Sequence, residues 1–185
     1  MEVSVPDPAH PPVPVLLLTG PVGVGKSTVA AAAAWLLREA NVPHAAVDLA
    51  RLAECWPVPA DDPWHEQLLH RNLACVWANF QQAGAERLLL TRVLEARSLL
   101  RHVVAAVPGA QITVVRLRAP PPLLAARIRA REAGDPSWFL GAAAHTAAAL
   151  EHAGVEDHLV DNADRPVGEV AAEVLRRTAW LPSAP

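Results

Sequence analysis

The stretch GPVGVGKST, residues 20–28, stands directly behind the apolar run VPVLLLT, residues 13–19. It contains Lys26, the single lysine of a chain whose other fifteen basic residues are arginines. Gly20, Gly25, Lys26 and Ser27 match G-x-x-x-x-G-K-[ST] at every fixed position, at a point where a strand gives way to a helix. Each residue type has a physical reason. Gly20, Gly23 and Gly25 admit backbone angles closed to other residues. The loop N–H groups then turn inward on phosphate oxygens, aided by the positive end of the helix that follows. A slim ammonium reaches between β- and γ-phosphates where a broad guanidinium fork does not fit. Ser27 offers a hydroxyl to Mg²⁺. The whole loop, Gly20, Pro21, Val22, Gly23, Val24, Gly25, Lys26, Ser27 and Thr28, is therefore the expected nucleotide-binding element. A Gly-rich turn without a ligand is the alternative, and motif and setting together weigh against it.

The rest of the chain is consistent with one soluble domain. It has 185 residues, 52% of them apolar and 19% charged, enough material for a single full core. A formal charge of −3 gives no general attraction to nucleic acid or anionic lipid, so neither is an expected partner. Monomer and homodimer both remain open. Cys55 and Cys75 have no companions at metal spacing, which argues against a zinc site or disulfide framework and for reduced thiols in the cytoplasm. The start, MEVSVPDPAHPPVPV, has no basic n-region and reads as a disordered leader over residues 1–12 before a domain over 13–181. No apolar run approaches the roughly 20 residues of a membrane span.

Five short apolar runs, residues 13–19, 44–48, 87–94, 110–119 and 157–162, alternate with helical segments. The helices are expected over 27–40, 64–84, 97–106, from the prolines at 120–122 to Gly134, over 142–154, and in a closing segment from 165. DPSWFLG, residues 135–141, reads as a loop. Alternation of this kind argues for a parallel sheet covered on both faces. Trp35 and Trp77 fall on apolar helical stripes and read as core.

With these positions the chain resembles the small P-loop kinases: shikimate kinase, gluconate kinase, adenylylsulfate kinase and, most closely, chloramphenicol phosphotransferase. The resemblance covers about residues 13–178. It implies an α/β three-layer P-loop NTPase fold, a five-stranded parallel sheet of strand order 2-3-1-4-5, and a short lid over about 131–141. It also implies transfer of the γ-phosphate of ATP, with Mg²⁺, to a hydroxyl of a small-molecule acceptor.

Carried onto this sequence, the resemblance makes Asp48, at the end of the second strand in HAAVDLARLAECWP, the base that takes the acceptor's proton. An N-cap for the turn starting at Leu49 is its bland alternative, and the two can coexist. Arg51 is a candidate for holding substrate or phosphate, or a solvated arginine. The third strand does not end in the Asp of a strict Walker B. Glu95, just past it, is a candidate for substrate or water-mediated metal contact, or simply an acid at a helix start. That missing Asp keeps alive a second class of function, an ATP-binding or hydrolysing switch with no acceptor. Arg127 and Arg131, four apart on one helical face, are placed to stabilise the transferring phosphoryl group. In VDNADRPVGEV, Arg165, with Asn162 and Asp164, is the candidate for the adenine end. Arg71 on the 64–84 helix is the first candidate acceptor contact, with Trp56, Trp64, His65 and Trp138 as further wall residues.

Overall fold

VPVLLLT shows no polar alternation, and a strand apolar on both faces has to be covered on both sides. In the computed structural model, which describes residues 11–181, it becomes β1, Val13–Thr19, the middle strand of the sheet. Residues 1–10 of the expected leader lie outside the described residues. After β1 come α1 (Lys26–Glu39), β2 (Ala45–Asp48) with a 3₁₀ turn Leu49–Ala53, α2 (Glu66–Gln82) and β3 (Leu88–Thr91). A 3₁₀ turn Arg97–Leu99 runs into α3 (Leu100–Ala106), then β4 (Ala110–Arg118), α4 (Pro121–Arg131), α5 (Ser137–Ala153), β5 (His158–Asp161) and α6 (Val167–Arg177). All four strand pairings are parallel, in the order β2-β3-β1-β4-β5. This is the three-layer P-loop NTPase fold with the strand order expected.

The two faces of β1 feed two separate cores, as the two-residue period of a strand dictates. Leu16 and Leu18 join one cluster with Val29, Ala33 and Leu37 of α1 and Val170 and Val174 of α6. Val15 and Leu17 join the other, with Leu69, Leu73 and Trp77 of α2 and Val103 of α3. Among the described residues no helix is long and apolar enough to cross a membrane.

Three expectations are corrected. β3 stops at Thr91 rather than 94. Beyond it the chain stays tied to β1, with Arg92 N donating to Leu18 O at 3.1 Å and Leu94 N to the Thr19 hydroxyl at 2.9 Å. A side chain thus replaces the ladder. Second, DPSWFLG is not a loop, because α5 begins at Ser137. Asp135 accepts from both the Ser137 backbone N–H (2.9 Å) and its hydroxyl (2.6 Å), a local turn that starts the helix and leaves only residues 132–136 as connection. Third, Trp77 is buried but Trp35 is 58% exposed, under the Arg38 guanidinium. The buried stripe of α1 is Val29, Ala30, Ala33 and Leu37. In so Ala-rich a helix the apolar pattern has little contrast, and Trp35 lies off that stripe.

Candidate nucleotide site and the cavity beside it

The loop between β1 and α1 lies at the carboxyl end of the parallel strands, where open α/β sheets place ligands. Its glycines are sterically required. A Cβ on Gly20 would stand 2.6 Å from the Leu117 carbonyl oxygen, and one on Gly23, at φ +83°, 2.8 Å from Ile128 Cγ1. Pro21 and Val24 are buried and shape the loop from behind. The first turn of α1 has no acidic residue and no side-chain cap, so its backbone N–H donors are left for a ligand.

Lys26 Nζ donates to the carbonyls of Gly20 (2.9 Å) and Pro21 (3.1 Å). Burial pulls its pKa from 10.5 down to about 8, Arg131 nearby adds to the fall, and Asp48 opposes it. The Ser27 hydroxyl donates to Asp48 Oδ2 at 2.7 Å, while Asp48 Oδ1 accepts from Ala50 N at 3.2 Å. Asp48 therefore caps the turn Leu49–Ala53 and also faces the loop.

The loop is held from β5's end. Asn162, 6% exposed, donates from Nδ2 to Val24 O at 2.7 Å. Arg127 donates to the same carbonyl at 3.3 Å and to Asn162 O at 3.0 Å. Asn162 thus clamps the loop, a tighter placement than the adenine contact expected of it.

Two cavities meet at this loop. One, of about 460 Å³, is bordered by Gly25, Ser27, Thr28, Arg127, Asn162 and Arg165. The other, of about 680 Å³, is bordered by Val22, Asp48, Glu66, Arg92, Glu95 and Trp138, with Leu69, Val93 and Leu99 at its base. Gly23, Lys26 and Arg131 border both. Arg165 donates to Asp161 O and to Glu173 at 2.7 Å, which orients it along the first cavity. Arg131 pairs with Glu132 at 2.7 Å and lies over the Phe139 ring.

Not every candidate arrives. Arg71 is exposed on α2 and absent from either wall. Arg51 is exposed and pairs with Glu54 at 2.7 Å, also away from both walls. Trp64 and Glu95 do border the second cavity, whereas Trp56 does not, and His65 is buried at the start of α2. Sequence reading missed Arg92 and Glu66, which form an ion pair on that second wall. The available signal was position: Arg92 is the first residue past the carboxyl end of β3.

No protein-family model matches the chain, and no curated protein matches it in sequence. Solved structures do match in fold. A gluconokinase from Sinorhizobium meliloti is 22% identical over 90% of this chain and 91% of its own, at a TM-score of 0.59. A tunicamycin resistance protein from Deinococcus radiodurans is 16% identical over 94% and 99%, at 0.60. A shikimate kinase from Acinetobacter baumannii, in complex with shikimate, is 17% identical over 91% and 94%, at 0.57.

Proposed function

We propose that the chain is an ATP- and Mg²⁺-dependent phosphotransferase acting on a hydroxyl of a small-molecule acceptor. One observation carries this: Gly23, Lys26 and Arg131 form the boundary between two cavities, one lined by the phosphate-type loop and the other by Asp48 and an apolar floor. A hydrolytic switch needs the first cavity only. That the structures similar in fold include a gluconokinase and a shikimate kinase supports the same reading.

The triphosphate lies along the loop and the start of α1, with Arg127 and Arg165 toward the nucleoside side. The acceptor oxygen approaches from the Asp48 side. The O–H proton passes to the Asp48 carboxylate as the new O–Pγ bond forms. The bond from Pγ to the β,γ-bridging oxygen breaks, and its electron pair leaves with ADP. Lys26 and Arg131, both at the boundary, face the charge that spreads over the transferring oxygens. Ser27 would hold Mg²⁺ through its hydroxyl, a hard oxygen donor beside the phosphate loop, while that hydroxyl keeps its hydrogen bond to Asp48 Oδ2 at 2.7 Å. The ion, when bound, neutralises phosphate charge. Exposed, unpaired Cys55 and Cys75 are in keeping with a reducing cytoplasm.

The test is a thermal-shift measurement with ATP–Mg²⁺, followed by radiolabelled phosphate transfer across sugars, nucleosides and amino alcohols. Stabilisation by ATP with label passing only to water would favour the switch. Retained transfer in Asp48→Asn would remove Asp48 as the base.

A further inference from the structure

Resting on the phosphotransferase reading, we infer that the acceptor is an alcohol with a flat apolar body and an amine, not a carboxylate or a phosphate ester. The charges on the second cavity's wall point this way. Arg92 is neutralised by Glu66, and Arg131 is paired with Glu132 and shared with the phosphate side. Asp48 is engaged by Ser27 and Ala50. Glu95 borders the cavity and makes no hydrogen bond or ion pair among the described residues. Lys26 also borders this cavity, but the Gly20 and Pro21 carbonyls hold its ammonium on the phosphate side, so the uncommitted charge left to an acceptor is the Glu95 carboxylate. A sugar acid would meet no free guanidinium here and would sit against a carboxylate; an ammonium would find its counter-ion.

The apolar lining points to the rest of the molecule. Leu69, Val93 and Leu99 form the floor, and two indoles border the same cavity from separate segments. Trp64 is 81% and Trp138 73% exposed, the latter in the first turn of α5 and edge-on to Phe139 at 4.9 Å. An indole face stacks well on a flat apolar ligand and also favours a cation. An open-chain polyol such as gluconate has no flat apolar face to offer either indole. The acceptor hydroxyl goes to Asp48, the flat body lies over the floor and between the indoles, and the amine goes to Glu95.

A matched series tests this: phenylalaninol, N-acetylphenylalaninol, 3-phenyllactate and gluconate, each with ATP–Mg²⁺ and radiolabelled transfer as readout. The expected kcat/KM for phenylalaninol exceeds that for its N-acetyl form by roughly tenfold, the scale of a hydrogen bond to a charged group. Label transfer to 3-phenyllactate and gluconate stays at the water background. Glu95→Gln brings the amine-to-acetyl ratio close to one, and quenching of tryptophan fluorescence by phenylalaninol is weakened in Trp138→Phe; undiminished quenching there would overturn that indole as a contact. Gluconate or phenyllactate phosphorylated as well as phenylalaninol would overturn the acceptor class and leave the phosphotransferase standing. An unchanged ratio in Glu95→Gln would overturn the assigned counter-ion and the amine with it. Label on a sugar or nucleoside of the wider panel but on none of the four would overturn the acceptor class alone; ATP stabilisation with label passing only to water across the whole panel would overturn the phosphotransferase reading, and the acceptor class with it.

Discussion

The clamp on the phosphate loop offers a quantitative prediction. Val24 is fully buried, and among the described residues its carbonyl has two donors, Asn162 Nδ2 at 2.7 Å and Arg127 at 3.3 Å. Asn162→Ala removes the shorter, buried bond and is expected to cost about 1–2 kcal/mol of stability. Arg127→Ala removes a longer bond from a half-buried side chain, together with its bond to Asn162 O, and is expected to cost about 1 kcal/mol. In either single variant the carbonyl keeps one donor. In the double variant it keeps none, and an orphaned buried acceptor adds its own penalty of about 1–2 kcal/mol beyond the sum. Urea denaturation of the four proteins gives the cycle, read from midpoints at constant slope. The same three variants should bind ATP progressively less well, because Val24 lies within the loop. A double variant whose loss equals the sum of the singles would refute the shared-carbonyl clamp.

The other predictions concern charge and position. Lys26 titrates at about 8 in the free protein, so nucleotide binding at pH 7 meets an ammonium already formed. Above pH 8 binding has to take up a proton, and ATP affinity should fall by as much as roughly tenfold per pH unit. Calorimetry in buffers of different ionisation enthalpy should show proton uptake at pH 9 and none at pH 7. Thr19→Val, nearly isosteric, strips the Leu94 N–H of its 2.9 Å acceptor in a fully buried setting and should cost about 1–3 kcal/mol in urea denaturation. Arg51→Ala and Arg71→Ala should each leave kcat/KM for the best acceptor found within about twofold, as surface changes do; a tenfold loss in either would return it to the acceptor wall.

Much of the fold was legible in local pattern. A fully apolar strand, a glycine-lysine loop and the start of a helix are contiguous, so their chemistry is written in consecutive residues. The alternation of apolar runs and helical segments carried the parallel sheet, and resemblance carried its strand order. Asp48 could be placed because the end of a strand is a local feature with a known position in such sheets.

The glycine-lysine loop, its lysine and the layered parallel sheet around them are thus each written within a few consecutive residues. That Asn162 grips Val24 across 138 residues of chain, that Arg92 and not Arg71 reaches the second cavity, and that Trp35 faces solvent emerge from the folded arrangement alone. These are outcomes of register and packing between distant segments. A long side chain on an amphipathic helix, or just past a strand, turns toward a cavity or toward water according to what packs opposite it, and no neighbouring residue encodes that choice.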